Sequence, residues 1–176
     1  NEIAPFLGRF DGGNKAIKGK LTADASVIRF GIFGCTNNAE IKNVRFEGTM
    51  DTSKATSLQF LGGIAGNIDY TTITNCSNTA DLSSDGKMGG IVGTSQESKV
   101  MVCVNSGTIT STSIKIENLA GGIVGGGNGS IIGCINKGLN ISSINGATGG
   151  ITSRGTPIAC WSIATTITTT NFYKGA

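Results

Sequence analysis

A short glycine–isoleucine phrase recurs along the chain and limits what it can fold into. It reads Gly31-Ile32-Phe33-Gly34, Gly62-Gly63-Ile64-Ala65-Gly66, Gly89-Gly90-Ile91-Val92-Gly93, Gly121-Gly122-Ile123-Val124-Gly125 and an eroded Gly149-Gly150-Ile151. With Gly31, Gly63, Gly90, Gly122 and Gly150 as equivalents, the steps are 32, 27, 32 and 28 residues. Self-similarity in this range is the signature of a repeat architecture. A second phrase keeps step with it. Ile41, Ile73, Val100, Ile131 and Pro157 each stand three positions before Val44, Cys76, Cys103, Cys134 or Cys160. Two phrases in register predict a solenoid of about five coils.

Composition supports strands over helices. There are 28 glycines and only 2 prolines, β-branched residues are dense, and no apolar i, i+3, i+4, i+7 pattern persists. Charged residues make up 14% and the net charge is +3, which gives no electrostatic footprint for nucleic acid. The apolar runs are a few residues long, far short of a membrane span. The start carries no signal-peptide pattern, so the chain reads as a mature protein or a piece of a larger one.

Residues 1–30 lack the full repeat and read as entry strands and a partial N-terminal cap, whereas 31–176 form the repeat solenoid of a single domain. In the entry, Asp11-Gly12-Gly13-Asn14 predicts a hairpin or tight turn, with a strand over 16–21. From each glycine phrase to the Val44/Cys register the distances are 13, 13, 13, 12 and 10 residues, and from there to the next phrase 19, 14, 19 and 16. The first arc is nearly fixed and reads as stacked strands. The second is variable, and its long versions, Asp51–Ser57 and Thr110–Lys115, read as polar loops on one side of the rod.

After the Cys register the pattern has a period of two. Val44, Phe46, Gly48 and Met50 align with Cys76, Asn78, Ala80 and Leu82, then with Cys103, Asn105, Gly107 and Ile109, then with Cys134, Asn136 and Gly138. Cys160, Ser162 and Ala164 complete the series. These positions point inward, and the alternate ones, mostly polar, point to water. Ala80, Gly107 and Gly138 are expected at a corner where the walls approach closely and φ is positive.

The phrase Gly-Gly-Ile-x-Gly followed by Ile-x-Asn-Cys-x-Asn resembles the GLUG-type repeat of bacterial surface proteins. Pro5-Phe6-Leu7-Gly8-Arg9-Phe10-Asp11-Gly12 is similar to the lead-in that often precedes such repeats. The resemblance covers nearly the whole chain, with Phe46 and Ser162 departing from the Asn column. It implies an all-β, right-handed parallel β-helix, secreted or on a bacterial cell surface. Such repeats also accompany other domains, including immunoglobulin-cleaving peptidases, without being the catalytic part.

The residues offer little for catalysis. With no His, a Ser or Cys nucleophile lacks its usual base. Metal binding needs clustered Cys or His at short spacing, and there is no Cys-x-x-Cys, so no metal or cofactor is expected. Cys76, Cys103, Cys134 and Cys160 read as a ladder of small buried fillers, although neighbours about 4.8 Å apart would also permit a disulfide. Asn78, Asn105 and Asn136 read as an internal amide ladder. The run Gly121–Gly129 lacks the ending of a phosphate loop. Polysaccharide-degrading β-helix enzymes group carboxylates on one face, whereas Asp51, Asp69, Asp81, Asp85, Glu97 and Glu117 fall at different points of the coil.

The expected function is a non-catalytic adhesin-like module that binds a glycan or a host protein. Asp51, Thr52, Lys54, Ser113 and Lys115 of the long arcs are its candidate contacts. A passive spacer in a larger surface protein is the alternative, and a polysaccharide-degrading enzyme a remote one. The aromatics Tyr70, Trp161, Phe172 and Tyr173 are few. Open solenoid ends leave backbone groups unpaired, so further domains or end-to-end self-association are expected partners.

Overall fold

A computed structural model describes residues 4–113 and 118–170, and the described residues form strands and turns with no helix. Strands are two to seven residues long, because glycines and left-handed residues interrupt each β-branched run. Every pairing between them is parallel and joins one coil to the next. The result is a β-solenoid of about five turns, as the repeat spacing requires.

Five sheets make its walls. The Val100 sheet stacks Arg9–Asp11, Glu40–Lys42, Thr72–Thr74, Lys99–Met101, Ser130–Ile132 and Thr156–Ile158. The Asn105 sheet stacks Ala16–Thr22, Arg45–Asp51, Ser77–Asn78, Val104–Asn105, Ile135–Asn136 and Trp161–Ser162. The Ile109 sheet follows, with Leu82–Ser84, Ile109–Ser111, Asn140–Ser143 and Thr166–Thr169. The Met88 sheet (Arg29–Phe30, Phe60–Gly62, Lys87–Gly89, Leu119–Gly121, Ala147–Gly149) leads into the glycine phrase. The Val92 sheet (Phe33–Asn37, Ala65–Asp69, Val92–Gln96, Val124–Gly127) leaves it.

The core is a set of stacked like residues. Ile41, Ile73, Val100 and Ile131 form one fully buried column, and Leu82, Ile109 and Ile141 another. The phrase isoleucines Ile64, Ile91 and Ile123 are wholly enclosed at the glycine corner. Their backbones continue the axial bonding there, with the N–H of Ile64 donating to Ile91 O and that of Ile91 to Ile123 O, each at 2.9 Å. Gly31 stands for two residues: counted forward from Phe30↔Leu61 it faces Gly62, and counted back from Phe33↔Ala65 it faces Gly63.

The asparagine column is present and continuous. Asn78 Nδ2 donates to Asn105 Oδ1 and Asn105 Nδ2 to Asn136 Oδ1, both at 3.0 Å, and Asn136 Nδ2 reaches Ser162 Oγ at 3.3 Å. Each Nδ2 also donates within its own coil, to the carbonyl of Ala80, Gly107 or Gly138. Each Oδ1 accepts the N–H of that same residue, so the three wholly buried amides are satisfied on every side. Phe46 heads the column in the first coil and Ser162 ends it.

This column explains why the two phrases keep step. Gly63, Gly90 and Gly122 lie across the core against Asn78, Asn105 and Asn136, and a Cβ at any of them would overlap the amide. The fixed arc is the chain needed to travel from the glycine to the amide it packs on.

One local expectation is narrowed to one of its alternatives and another changes. Asp11–Asn14 is a tight turn and not a hairpin: Arg9–Asp11 pairs with Glu40–Lys42, while Ala16–Thr22 pairs with Arg45–Asp51 one wall further on. The entry is thus a partial extra coil, fastened by ion pairs such as Lys20–Asp51 at 2.7 Å and Arg9–Glu40 at 3.3 Å. Ala80, Gly107 and Gly138 approach the neighbouring coil closely, but positive φ falls elsewhere. It occurs one residue before the Cys register, at Asn43, Asn75, Val102, Gly133 and Ala159, because the sharp bend between the Val100 and Asn105 sheets lies there.

Truncating Ile91 to Ala should lower stability by about 2–5 kcal/mol, read from the shift of the denaturant midpoint. Asn105→Ala should cost about 1–3 kcal/mol by the same measurement, since it strips partners from the buried Gly107 N–H and Asn136 Oδ1.

Candidate functional site

The cysteine column is the densest chemistry in the chain and it faces the core. None of the five cysteines is in a disulfide. The N–H of Cys76 donates to Cys103 Sγ, that of Cys103 to Cys134 Sγ and that of Cys134 to Cys160 Sγ, each at 3.4 Å. The thiols in turn donate to carbonyls two residues back, as Cys103 does to Met101 O at 3.2 Å. Each sulfur is therefore an axial acceptor as well as a filler. Burial pushes the Cys103 and Cys160 thiols above their ordinary value, whereas hydrogen bonding with Cys103 lowers those of Cys76 and Cys134, which are fully buried and out of reach of a substrate. Among the described residues no group of three or more Cys, Asp or Glu is gathered as a metal ligand set.

The variable arcs do make a surface feature. Ser83–Asp85, from the short arc of the second coil, lies between the long arcs of its two neighbours. Thr52 Oγ1 donates to Ser83 O at 2.6 Å from one side, and the N–H of Thr112 donates to Ser84 O at 2.8 Å from the other. Between them opens a groove of about 240 Å³ lined by Thr52, Ser53, Ser84, Asp85 and Thr112, with Leu58 among its walls. A second shallow groove adjoins it and brings Asp51 and Asp81 together from stacked coils.

The candidate contacts divide in this setting. Thr52 lines both grooves and Asp51 the second, while Lys54 is exposed beside them. Ser113 is buried, and Lys115 lies outside the described residues, as does Glu117. The acids are committed to local structure. Asp51 accepts from Lys20 and from the N–H and hydroxyl of Ser53, and Lys20 foremost holds its carboxyl well below the usual range. Asp81 Oδ1 accepts the N–H of Thr108 at 2.7 Å. Toward solvent the groove presents the exposed Thr112 and Asp85 and the remaining acceptor capacity of the Thr52 and Ser53 hydroxyls, suited to hydrogen-bonding a neutral polar ligand.

A larger groove, of about 620 Å³, lies at the joint of the Met88 and Val92 sheets and was not singled out by the sequence. Arg29 and Gln59 form one wall, and Cys35, Asn37, Asn67 and Asp69 the other. Asn67 Nδ2 donates to Asp69 Oδ2 at 3.1 Å, and Arg29 lies over the Phe60 ring at 5.9 Å. The signal was available in the outward column Cys35–Asn67–Thr94, directly after the last glycine of each phrase. The two aromatics of the terminus, Phe172 and Tyr173, lie outside the described residues, whereas Tyr70 and Trp161 are exposed.

No family model, no curated protein and no solved structure matches this chain. The fold and the grooves define its class by themselves: a parallel β-solenoid with polar lateral grooves.

The thiol column makes a pH prediction. An unfolded Cys titrates near pH 8.5, and buried Cys103 titrates higher, so the folded state keeps a proton that the unfolded state gives up. The stability that Cys103 contributes should hold below about pH 8 and fall as pH rises through the alkaline range, while the lowered Cys76 and Cys134 thiols act in the opposite sense. Denaturant midpoints at neutral and alkaline pH should show a smaller fall in Cys103→Ala.

Proposed function

We propose that this chain is a non-catalytic, adhesin-like module that binds a glycan or a host surface protein through its lateral arcs. The observation that carries the reading is the convergence of Thr52, Ser84, Asp85 and Thr112, drawn from three successive coils, on one polar groove. Hydroxyls and a carboxylate at fixed spacing on a rigid wall hydrogen-bond polyols and peptide groups without ordering a loop on binding. The likeness of the glycine and Asn-Cys phrases to GLUG-type repeats supports a bacterial cell-surface or secreted setting. A non-enzymatic role is favoured by the engagement of Asp51 and Asp81 in ion-pair and turn bonds.

A passive spacer is the second reading, favoured by the continuous axial bonding of the Asn and thiol columns, which suits a stiff rod.

Binding of the purified chain to an array of glycans and matrix proteins tests the choice. The expected result is saturable binding weakened at least tenfold in Thr52→Val and Thr112→Val and unchanged in Asn67→Ala at the larger groove. A blank array, with an unaltered circular dichroism spectrum, contradicts the adhesin reading and leaves the spacer.

A further inference from the structure

The outward face of the last three coils breaks the pattern of the rod. In the Asn105 sheet the outward column begins Arg45, Ser77 and continues Val104, Ile135, Trp161. In the Val100 sheet it begins Lys42, Thr74 and continues Met101, Ile132, Ile158. The same face is thus charged on the first coil and apolar on the last three. Of these, Trp161 is 68% exposed, Ile158 55% and Ile135 37%, while Val104, Met101 and Ile132 are half-buried; Val102 at the bend between the two sheets (56%) and Ile163 after Trp161 (48%) extend the patch.

Val102 is the most telling of them. It sits at the bend between the two sheets with φ +53°, in a column otherwise held by Asn43, Asn75, Gly133 and Ala159. A β-branched residue is the least suited to that conformation, and an exposed one gains nothing from the core. Strain held at an exposed apolar position points to a contact made there.

We infer that this face is an interface between two copies of the chain packed side by side. The exposed apolar area is on the order of 500 Å² per copy. Two such faces with their polar rims reach the lower end of specific interfaces, roughly 1,200 Å² in total. The surface is also self-complementary. Its rows repeat about every 4.8 Å, and an identical sheet face at about 10 Å is the surface whose rows match that spacing. A two-fold pairing sets patch on patch and keeps the Lys42 and Arg45 ends apart.

The ends of the rod are less suited to pairing. At one, the edge strand Ala16–Thr22 presents Lys18 and Lys20. At the other, Ile158 O accepts from Gly133 N–H, so the neighbouring Pro157 turns a nitrogen without hydrogen toward the open edge. The interface stands independently of the proposed ligand groove, whose residues lie in the Ile109 sheet and the arcs beside it.

Sedimentation velocity and small-angle X-ray scattering of the full chain, from low micromolar to near-millimolar protein, test the inference. The expected result is a dimer at high concentration whose cross-section grows while its length holds. Ile135→Lys should abolish it with an unchanged circular dichroism spectrum. Val102→Asn should weaken dimerisation at least tenfold while raising the melting temperature by about 2–4 °C, as strain is released. That opposite movement keeps the test decisive even if Ile135→Lys fails to fold. A monomer throughout, an assembly that lengthens, or a dimer indifferent to both substitutions overturns it. So does a monomer that binds phosphatidylglycerol vesicles through this face, since Lys99 and Lys137 beside the patch would then be serving a lipid surface.

Discussion

The structure depends on hydrogen bonds that run along the rod axis inside the core. Backbone ladders bond the walls, but a ladder alone does not choose its register, and a shift of one residue would move every side chain to the other face. The buried amides of Asn78, Asn105 and Asn136 resist that shift. Each must find donors and acceptors in hydrocarbon surroundings, and each finds them in the next amide and in its own corner. A slipped coil would strand these groups, at a penalty larger than the modest net gain of forming them. The thiol column repeats the logic more weakly, with sulfur accepting the N–H of the coil before it.

The remaining features follow from that column. Glycines are needed opposite the amides because the walls come too close for a Cβ, and so the arc joining glycine to amide hardly varies. The opposite arc carries no such contact and is free to lengthen by a few residues. It does so in alternate coils, and Thr52 and Thr112 come to flank the short arc at Ser83–Asp85. A rigid core and variable arcs are therefore two consequences of one constraint. Only the arcs can change without cost to the stack.

Much of this was legible in the sequence. The period, the inward columns, the asparagine and cysteine ladders and the place of Phe46 and Ser162 within them follow from spacing alone, because stacking turns sequence period into spatial register. The left-handed corner was misplaced, since glycine marks both close approach and positive φ, and here Gly107 and Gly138 need only the first. Asn43, Asn75 and Val102 carry the bend without a common residue type. The groove at Asn67 and Asp69 lay hidden because it forms between two sheets that are adjacent in sequence only through the glycine corner. The apolar outer face was obscured by reading the outward positions as a class, when they change from Arg45 to Trp161 along the rod.

The most direct test of the axial-ladder account is amide hydrogen exchange followed by nuclear magnetic resonance. The N–H groups of Cys103, Ala80 and Gly107, together with the Asn105 side-chain amide, should exchange as one set, at the rate of global unfolding. The turn amides of Gly13 and Ser53, bonded to a side chain of their own exposed turn, should exchange far sooner. Exchange of Ala80 and Gly107 at the rate of those turns would show that the buried amide column does not hold the coils in register.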